Sequence, residues 1–134
     1  MLSLPSSVRI FLARTPVDFR KAHDGLHAIV REEFGDDPLS GHVFVFLNRR
    51  VDRVKLLVWD RNGFWLLYKR LERGTFRAPS RGEGARVEVS RAELLMLLEG
   101  IDLKRGKIRR HFADSMYIES RGRRSGTDDR RAAV

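Results

Sequence analysis

Val43-Phe-Val-Phe-Leu-Asn-Arg-Arg-Val-Asp-Arg-Val-Lys-Leu-Leu-Val-Trp-Asp-Arg-Asn-Gly-Phe-Trp-Leu-Leu-Tyr-Lys-Arg-Leu-Glu-Arg73 is the stretch whose reading decides the fold. It holds three apolar runs rich in β-branched and aromatic residues, at 43–47, 54–59 and 64–68. A basic turn, Asn48 to Arg53, separates the first two runs, and Asp60-Arg61-Asn62-Gly63 separates the second from the third. The Asn-Gly pair favours positive φ and a tight hairpin, so the stretch reads as a three-stranded antiparallel meander with arginines at both joints. Along the second strand Lys55, Leu57 and Trp59 share one face, and Val54, Leu56 and Val58 the other. In the third, Phe64, Leu66 and Tyr68 oppose Trp65, Leu67 and Lys69. Both faces are largely apolar, which predicts a helix or second sheet over each.

Working outward toward the N-terminus, Val8 to Ala13 alternates loosely and predicts a first strand closed at Thr15-Pro16. From Asp18 the period changes. Phe19, Ala22, Leu26, Ile29, Val30 and Phe34 fall at helical spacing and predict a helix near 21–34, with Asp18 as its cap or in its first turn. Arg20 and Lys21 near its start oppose the helix dipole, so either they pair with Asp18 or Asp24, or they hold an anion. Gly25 costs about 1 kcal/mol inside a helix, so the helix starts beyond it or another backbone passes close. Gly35 to Gly41 is a breaker that leads into the meander.

Toward the C-terminus, the glycines and prolines of 74–84 predict a loop, and Ala85 to Val89 a short strand. Ser90-Arg-Ala-Glu93 matches a capping box directly before the leucines of a helix at 91–99, with Gly100 just past its end. Residues 104–134 carry ten Lys or Arg against four acids. There the spacing of Ile108, Phe112 and Met116 suggests a marginal basic helix over 107–118, and from Arg121 onward the composition is that of a disordered chain. The fold class expected is α+β: an antiparallel β-meander of about five strands with two main helices packed on it. One domain is expected over residues 1–103, followed by a basic tail at 104–134, partly or wholly disordered.

Composition narrows the function. The 134 residues contain 27 Lys and Arg against 18 Asp and Glu, a formal charge of +9. That balance favours a polyanionic partner, above all nucleic acid, and arginine's planar fork suits phosphate and base edges. No cysteine is present, which removes thiol chemistry, zinc ribbons and disulfide scaffolds. The apolar runs are too short to cross a bilayer and no signal peptide is legible, so a cytoplasmic protein away from the membrane is expected. His23 and His27 stand i, i+4 but lack the glutamate of the metalloprotease order. No Walker loop, dinucleotide fingerprint or nucleophile elbow occurs, so neither catalysis nor a cofactor is expected. A metal-dependent nuclease would need Asp18, Asp24 and Asp60 to converge within about 4–6 Å.

One family carries much of this pattern. Asp18-Phe-Arg-Lys21, Asp24-Gly25-Leu26, Asp37-Pro38-Leu39-Ser40-Gly41 and Phe44-Val45-Phe46 follow one another along the chain. Asp52 to Leu57, Trp59-Asp60, Gly63-Phe64, Tyr68 to Gly74 and Leu97 to Ile101 continue the series. In this order they resemble the small accessory (TnpB, Orf-two-like) proteins of the insertion-sequence sixty-six transposons. The resemblance covers roughly residues 4–103 and departs from the family at Phe76-Arg77-Ala78-Pro79, where relatives usually show Trp-Pro. It implies a bacterial protein encoded beside a transposase and needed for efficient transposition, and it supplies no catalytic residues.

Charge and resemblance together predict a non-enzymatic transposition accessory protein. Its expected partners are DNA at the transposon ends, the transposase and other proteins of the same element. The expected phosphate-contacting set is Arg20, Lys21, Arg49, Arg50, Arg53, Lys55, Lys69, Arg70 and Arg73. The competing expectation is a protein–protein module that uses Trp59 or Trp65 and the leucine helix, without direct DNA binding.

Overall fold

The structure, a computed structural model, describes residues 5–99, 101–102 and 107–108. Strand β1 (Ile10–Ala13) leads to helix α1 (His23–Ile29), which widens into a π-helical turn at Val30–Phe34. Then come β2 (Val43–Leu47), β3 (Arg53–Asp60), β4 (Gly63–Arg70), β5 (Arg86–Val89) and α2 (Arg91–Glu99). A small hairpin follows, β6 (Ile101–Asp102) with β7 (Lys107–Ile108). The chain divides into two units between Leu94 and Leu95. The first contains a five-stranded sheet, order β4-β3-β2-β1-β5, and α1. Of the second, the described residues are the end of α2 and the hairpin, in which Ile101 stands opposite Ile108.

β2, β3 and β4 form the expected antiparallel meander, with Val45 opposite Leu56 and Leu57 opposite Leu66. β5 runs antiparallel to β1. β1 and β2, however, are parallel, Phe11 lying opposite Phe44. The cause is the connection: α1 carries the chain back across the sheet, and a crossover of that length delivers a parallel neighbour. The sheet is therefore mixed and mostly antiparallel. At the β3–β4 joint Asp60 pairs with Gly63, so Arg61 and Asn62 form the loop and the positive φ (60°) falls on Arg61, not on the Asn-Gly pair. This register keeps Leu56–Leu67, Leu57–Leu66 and Val58–Trp65 matched, and a one-residue slip would turn every one of them to the wrong face.

α1 covers one sheet face. Leu26, Ile29 and Val30 meet Phe11, Phe44, Phe46 and Leu57 there, and Phe34 stacks on Phe46 at 5.9 Å between ring centroids. On the other face Ile10, Val43, Val45, Val54 and Leu56 are buried. The first turn of α1 differs from the sequence expectation. Ala22, not Asp18, stands at its N-cap, and Asp18 heads a separate turn, its carbonyl accepting the Lys21 N–H at 3.0 Å. Gly25 lies inside α1, and a Cβ there would come within 2.9 Å of the Lys21 Cβ. What passes close is a side-chain stem, and neither of the two expected explanations describes it. Gly35 ends the π-helical turn at φ 70°, as a breaker in the left-handed region does.

α2 starts at the capping box. Ser90 Oγ accepts the Glu93 N–H at 3.1 Å, and Glu93 Oε1 accepts the Ser90 N–H at 2.8 Å. Arg81 then grips the same carboxylate at 2.6 and 2.9 Å. Lys107–Ile108 pairs as a strand, where spacing suggested the start of a basic helix. An isolated helix of that length is marginal in water, so a paired ladder outcompetes it. Residues 109–118 of that expected helix, Gly100 and the tail from Arg121 lie outside the described residues.

Arg81, followed by the Ser90 amide, holds the Glu93 carboxyl down to about 2, against an ordinary 4.5. Because the folded value is depressed, its contribution to stability is complete above the unfolded value near 4.5 and is lost as pH falls through about 2. Glu93→Gln is expected to lower thermal stability at neutral pH and to flatten its decline over that acid window. Ser90→Ala is expected to cost about 1 kcal/mol at every pH, read by thermal or urea melts.

Candidate nucleic-acid interface

Asn48 is the one polar residue buried among the described residues, 8% exposed, and it builds the β2–β3 turn. Its Oδ1 accepts the N–H groups of Asp52 and Arg53 at 3.0 and 2.9 Å. Its amide donates to Asp52 Oδ1 at 2.6 Å, and its carbonyl accepts the Val51 N–H at 3.0 Å. Short polar side chains make such turns because they reach backbone donors a few residues ahead. Val51 is held at φ 57°, a region in which β-branched residues are outliers. Two outside bonds fix the turn further: Leu71 donates to the Asp52 carbonyl at 2.8 Å and Phe76 to the Val51 carbonyl at 2.7 Å.

The consequence is a rigid turn that carries Arg49 and Arg50 exposed at its tip and Arg53 half-buried at its base. The segment Pro16–Arg20 is tied alongside, where Val17 donates to the Leu47 carbonyl at 2.9 Å. Between segment and turn lies an open cleft of ≈ 530 Å³, lined by Pro16, Val17, Asp18, Phe19 and Arg20 on one side and by Asn48, Arg49, Arg50 and Arg53 on the other. Among the described residues no hydrogen bond or ion pair engages the side chains of Arg49, Arg50 or Arg53. Arg53 Nε is shut away from solvent without an acceptor. Of the cleft's acids, Asp18 is gripped by Arg20 at 2.7–3.1 Å, which holds its carboxyl at about 2. Outside the lining but in the same turn, Asp52 is kept below the usual carboxylate range by the Asn48 amide, aided by Arg53 and Arg50.

The sequence-predicted cations therefore divide. Arg20, Arg49, Arg50 and Arg53 share the cleft. Lys55 has an internal job. Its Nζ donates to the Phe19 and Lys21 carbonyls at 3.1 and 2.9 Å and sits 4.8 Å from the Phe19 ring centroid, with its pKa lowered by burial. Lys21 lays its stem against Gly25. Arg70 stands opposite Arg53 in the β3–β4 register and pairs with Glu72 at 3.3 Å. Lys69 stands opposite Val54, and Arg73 is exposed in the loop after β4. Three arginines elsewhere are neutralised: Arg9 by Glu88, Arg81 by Glu93 and Arg86 by Asp36, each bidentate.

The acids considered for a metal each have separate company. Asp18 holds Arg20, Asp24 lies 3.6 Å from His23, and Asp60 accepts the Trp65 indole N–H at 2.9 Å. Among the described residues no three of His, Asp or Glu converge to hold a metal ion. His23 and His27 share a helix face, as their spacing requires, and use it to pack on Phe64 at 5.3 and 5.5 Å. The residue that sequence reasoning passed over is Asn48. Its one signal was an Asn at the mouth of a charged turn.

Comparison with known proteins finds one family. The profile described as IS66 Orf2 like protein matches residues 8–108. Two proteins of Sinorhizobium fredii (strain NBRC 101917 / NGR234) are similar. "Uncharacterized protein y4jC" is 38% identical over 107 residues, 80% of this chain and 91% of that one. "Uncharacterized protein y4hO" is 38% identical over 102 residues, 76% of this chain and 88% of that one. No solved structure matches.

Asn48→Ala strands two backbone donors and is expected to cost about 2–3 kcal/mol in a urea titration. Lys55→Met is expected to cost about 1–3 kcal/mol, because two loop carbonyls lose their donor. Fold destabilisation of Lys55→Met, without change in the salt dependence of any DNA binding, is the signature of its internal role.

Proposed function

The chain belongs to the IS66 Orf2-like family, and we propose on that premise that it is a non-enzymatic accessory protein of DNA transposition that contacts DNA phosphates through the β2–β3 turn. The family is a transposition accessory family, so a transposase of the same element is the natural protein partner. No helix among the described residues is long and apolar enough to cross a membrane, and the proposed place of work is the bacterial cytoplasm. The observation that carries the DNA contact is the charge arrangement of the turn. Arg9, Arg81 and Arg86 each hold a carboxylate, whereas Arg49, Arg50 and Arg53 stand together with none hydrogen-bonded or ion-paired to them. Guanidinium groups that no carboxylate grips by a hydrogen bond, with Asp52 acting on Arg50 and Arg53 only through its field, can each replace a counterion on a phosphate. Arg20 contributes field at the same cleft but is already bonded to Asp18.

A second reading, a protein-interaction surface, is favoured by edge strand β4. Trp65 there is 48% exposed, with its indole fixed by the Asp60 hydrogen bond, and Tyr68 on the opposite face is 54% exposed. Trp59 serves this reading less well, because it packs on Phe64 at 5.1 Å. Loss of transposase co-purification in Trp65→Ala, persisting after nuclease treatment, would favour it.

Fluorescence-anisotropy titration of labelled DNA against salt tests the phosphate contact. Binding is expected to weaken as salt rises. Combined alanine substitution of Arg49, Arg50 and Arg53 is expected to reduce the log–log salt slope by about 2–3, about one per lost contact. Salt-independent binding, or a slope unmoved by the triple substitution, contradicts the proposal.

A further inference from the structure

We propose that the cleft between Pro16–Arg20 and the β2–β3 turn receives a single unpaired nucleotide of DNA, at a strand end or an unpaired position, in preference to continuous duplex backbone. The inference rests on the phosphate contact proposed above and deepens it.

Shape is the first argument. Continuous B-DNA presents its phosphates on a convex cylinder with the base faces sealed by stacking, so a flat or protruding basic surface suits it. Here the guanidinium groups stand around a recess of ≈ 530 Å³, within the roughly 300–1,000 Å³ range of sites that enclose a small molecule. A duplex would touch such a recess at its rim.

The lining is the second. One wall carries Pro16, Val17 and Phe19 interleaved with the Asp18–Arg20 ion pair, the opposite wall Arg49, Arg50 and Arg53. A wholly phosphate-directed surface has no use for the apolar side chains of that first wall. A nucleotide free of its partner has both parts, a phosphate for the guanidinium groups and a base face or sugar for the apolar side chains, which is the combination that single-strand sites use. The third argument is Arg53 itself. Its Nε–H finds no acceptor within the fold, so no protein oxygen competes for the guanidinium at the edge of the cleft. The fork geometry of arginine is built to donate to two phosphate oxygens at once.

Preorganisation completes the case. The two walls are fixed by the fold, one by Asn48 and the other by the Val17–Leu47 hydrogen bond and the Lys55 ammonium beneath Phe19 and Lys21. Little conformational freedom remains to be lost when an occupant enters.

The test uses the full chain and three fluorescein-labelled probes of one sequence at fixed salt: a single-stranded 12-mer, a blunt duplex, and a duplex with a short single-stranded overhang. Single strand and overhang are expected to bind at least tenfold tighter than blunt duplex. Arg50→Ala, at an exposed position, and Arg53→Gln are each expected to remove most of that preference while thermal melts show a folded protein. Deoxyadenosine monophosphate is expected to displace the bound single strand at lower concentration than inorganic phosphate does. Equal or tighter binding of the blunt duplex, with all three probes weakened alike by the arginine substitutions, overturns the cleft inference and leaves the phosphate contact standing. Inorganic phosphate competing as well as the mononucleotide overturns it too, because the apolar wall would then be idle. Binding of none of the probes at low salt overturns both readings.

Discussion

The carboxamide of Asn48 is the interaction on which the candidate site depends. A turn that places arginines side by side is self-repelling, and loops of that kind ordinarily spread their charges into solvent. Here the backbone is closed from inside by a buried side chain that satisfies two N–H groups and one carboxylate. It is then clamped from outside by the amides of Leu71 and Phe76. The left-handed Val51 is stored strain, of order 1–3 kcal/mol, tolerated because so many bonds overdetermine the turn. Strain of this sort collects where geometry serves a purpose beyond stability.

The same accounting explains why charge alone misleads. Formal charge is +9, yet residues 104–134 hold ten Lys or Arg against four acids, so most of that excess lies outside the described residues. Within the first unit several arginines are structural. Arg86 bonds Asp36 and lies 4.1 Å from the Phe11 ring centroid, and Arg14 ties down the carbonyls of Arg81 and Gly84. What distinguishes the β2–β3 turn is local: guanidinium groups gathered without carboxylates to hold.

Much of the fold was legible in the chain because it is encoded locally. The runs at 43–47, 54–59 and 64–68 became β2, β3 and β4, and Ser90 and Glu93 formed the reciprocal cap their spacing announces. What was not legible depends on distant partners. The parallel pairing of β1 with β2 follows from how α1 returns the chain, which no periodicity reveals. Of the roles the sequence offered Asp18, the helix cap fell to Ala22 and the pairing with Arg20 is the one it takes. Lys55 looked like a surface cation until the fold placed the Phe19 and Lys21 carbonyls, 36 and 34 residues away, within its reach. Whether an arginine is free is likewise a long-range property. Glu88 lies 79 residues from Arg9, so sequence alone could propose the set but not divide it.

The central claim is that the arginine turn is a fixed part of the fold and not a mobile loop. Residue-resolved amide hydrogen exchange in the free protein tests it most directly. The Asp52 and Arg53 amides, bonded to Asn48 Oδ1, are predicted to exchange as slowly as those of the β2–β3 ladder, with Arg49 and Arg50 fast beside them. Exchange at Asp52 and Arg53 as fast as at Arg49 and Arg50 would mean that the clamp does not hold in solution, and the account of a preorganised cationic site would be contradicted.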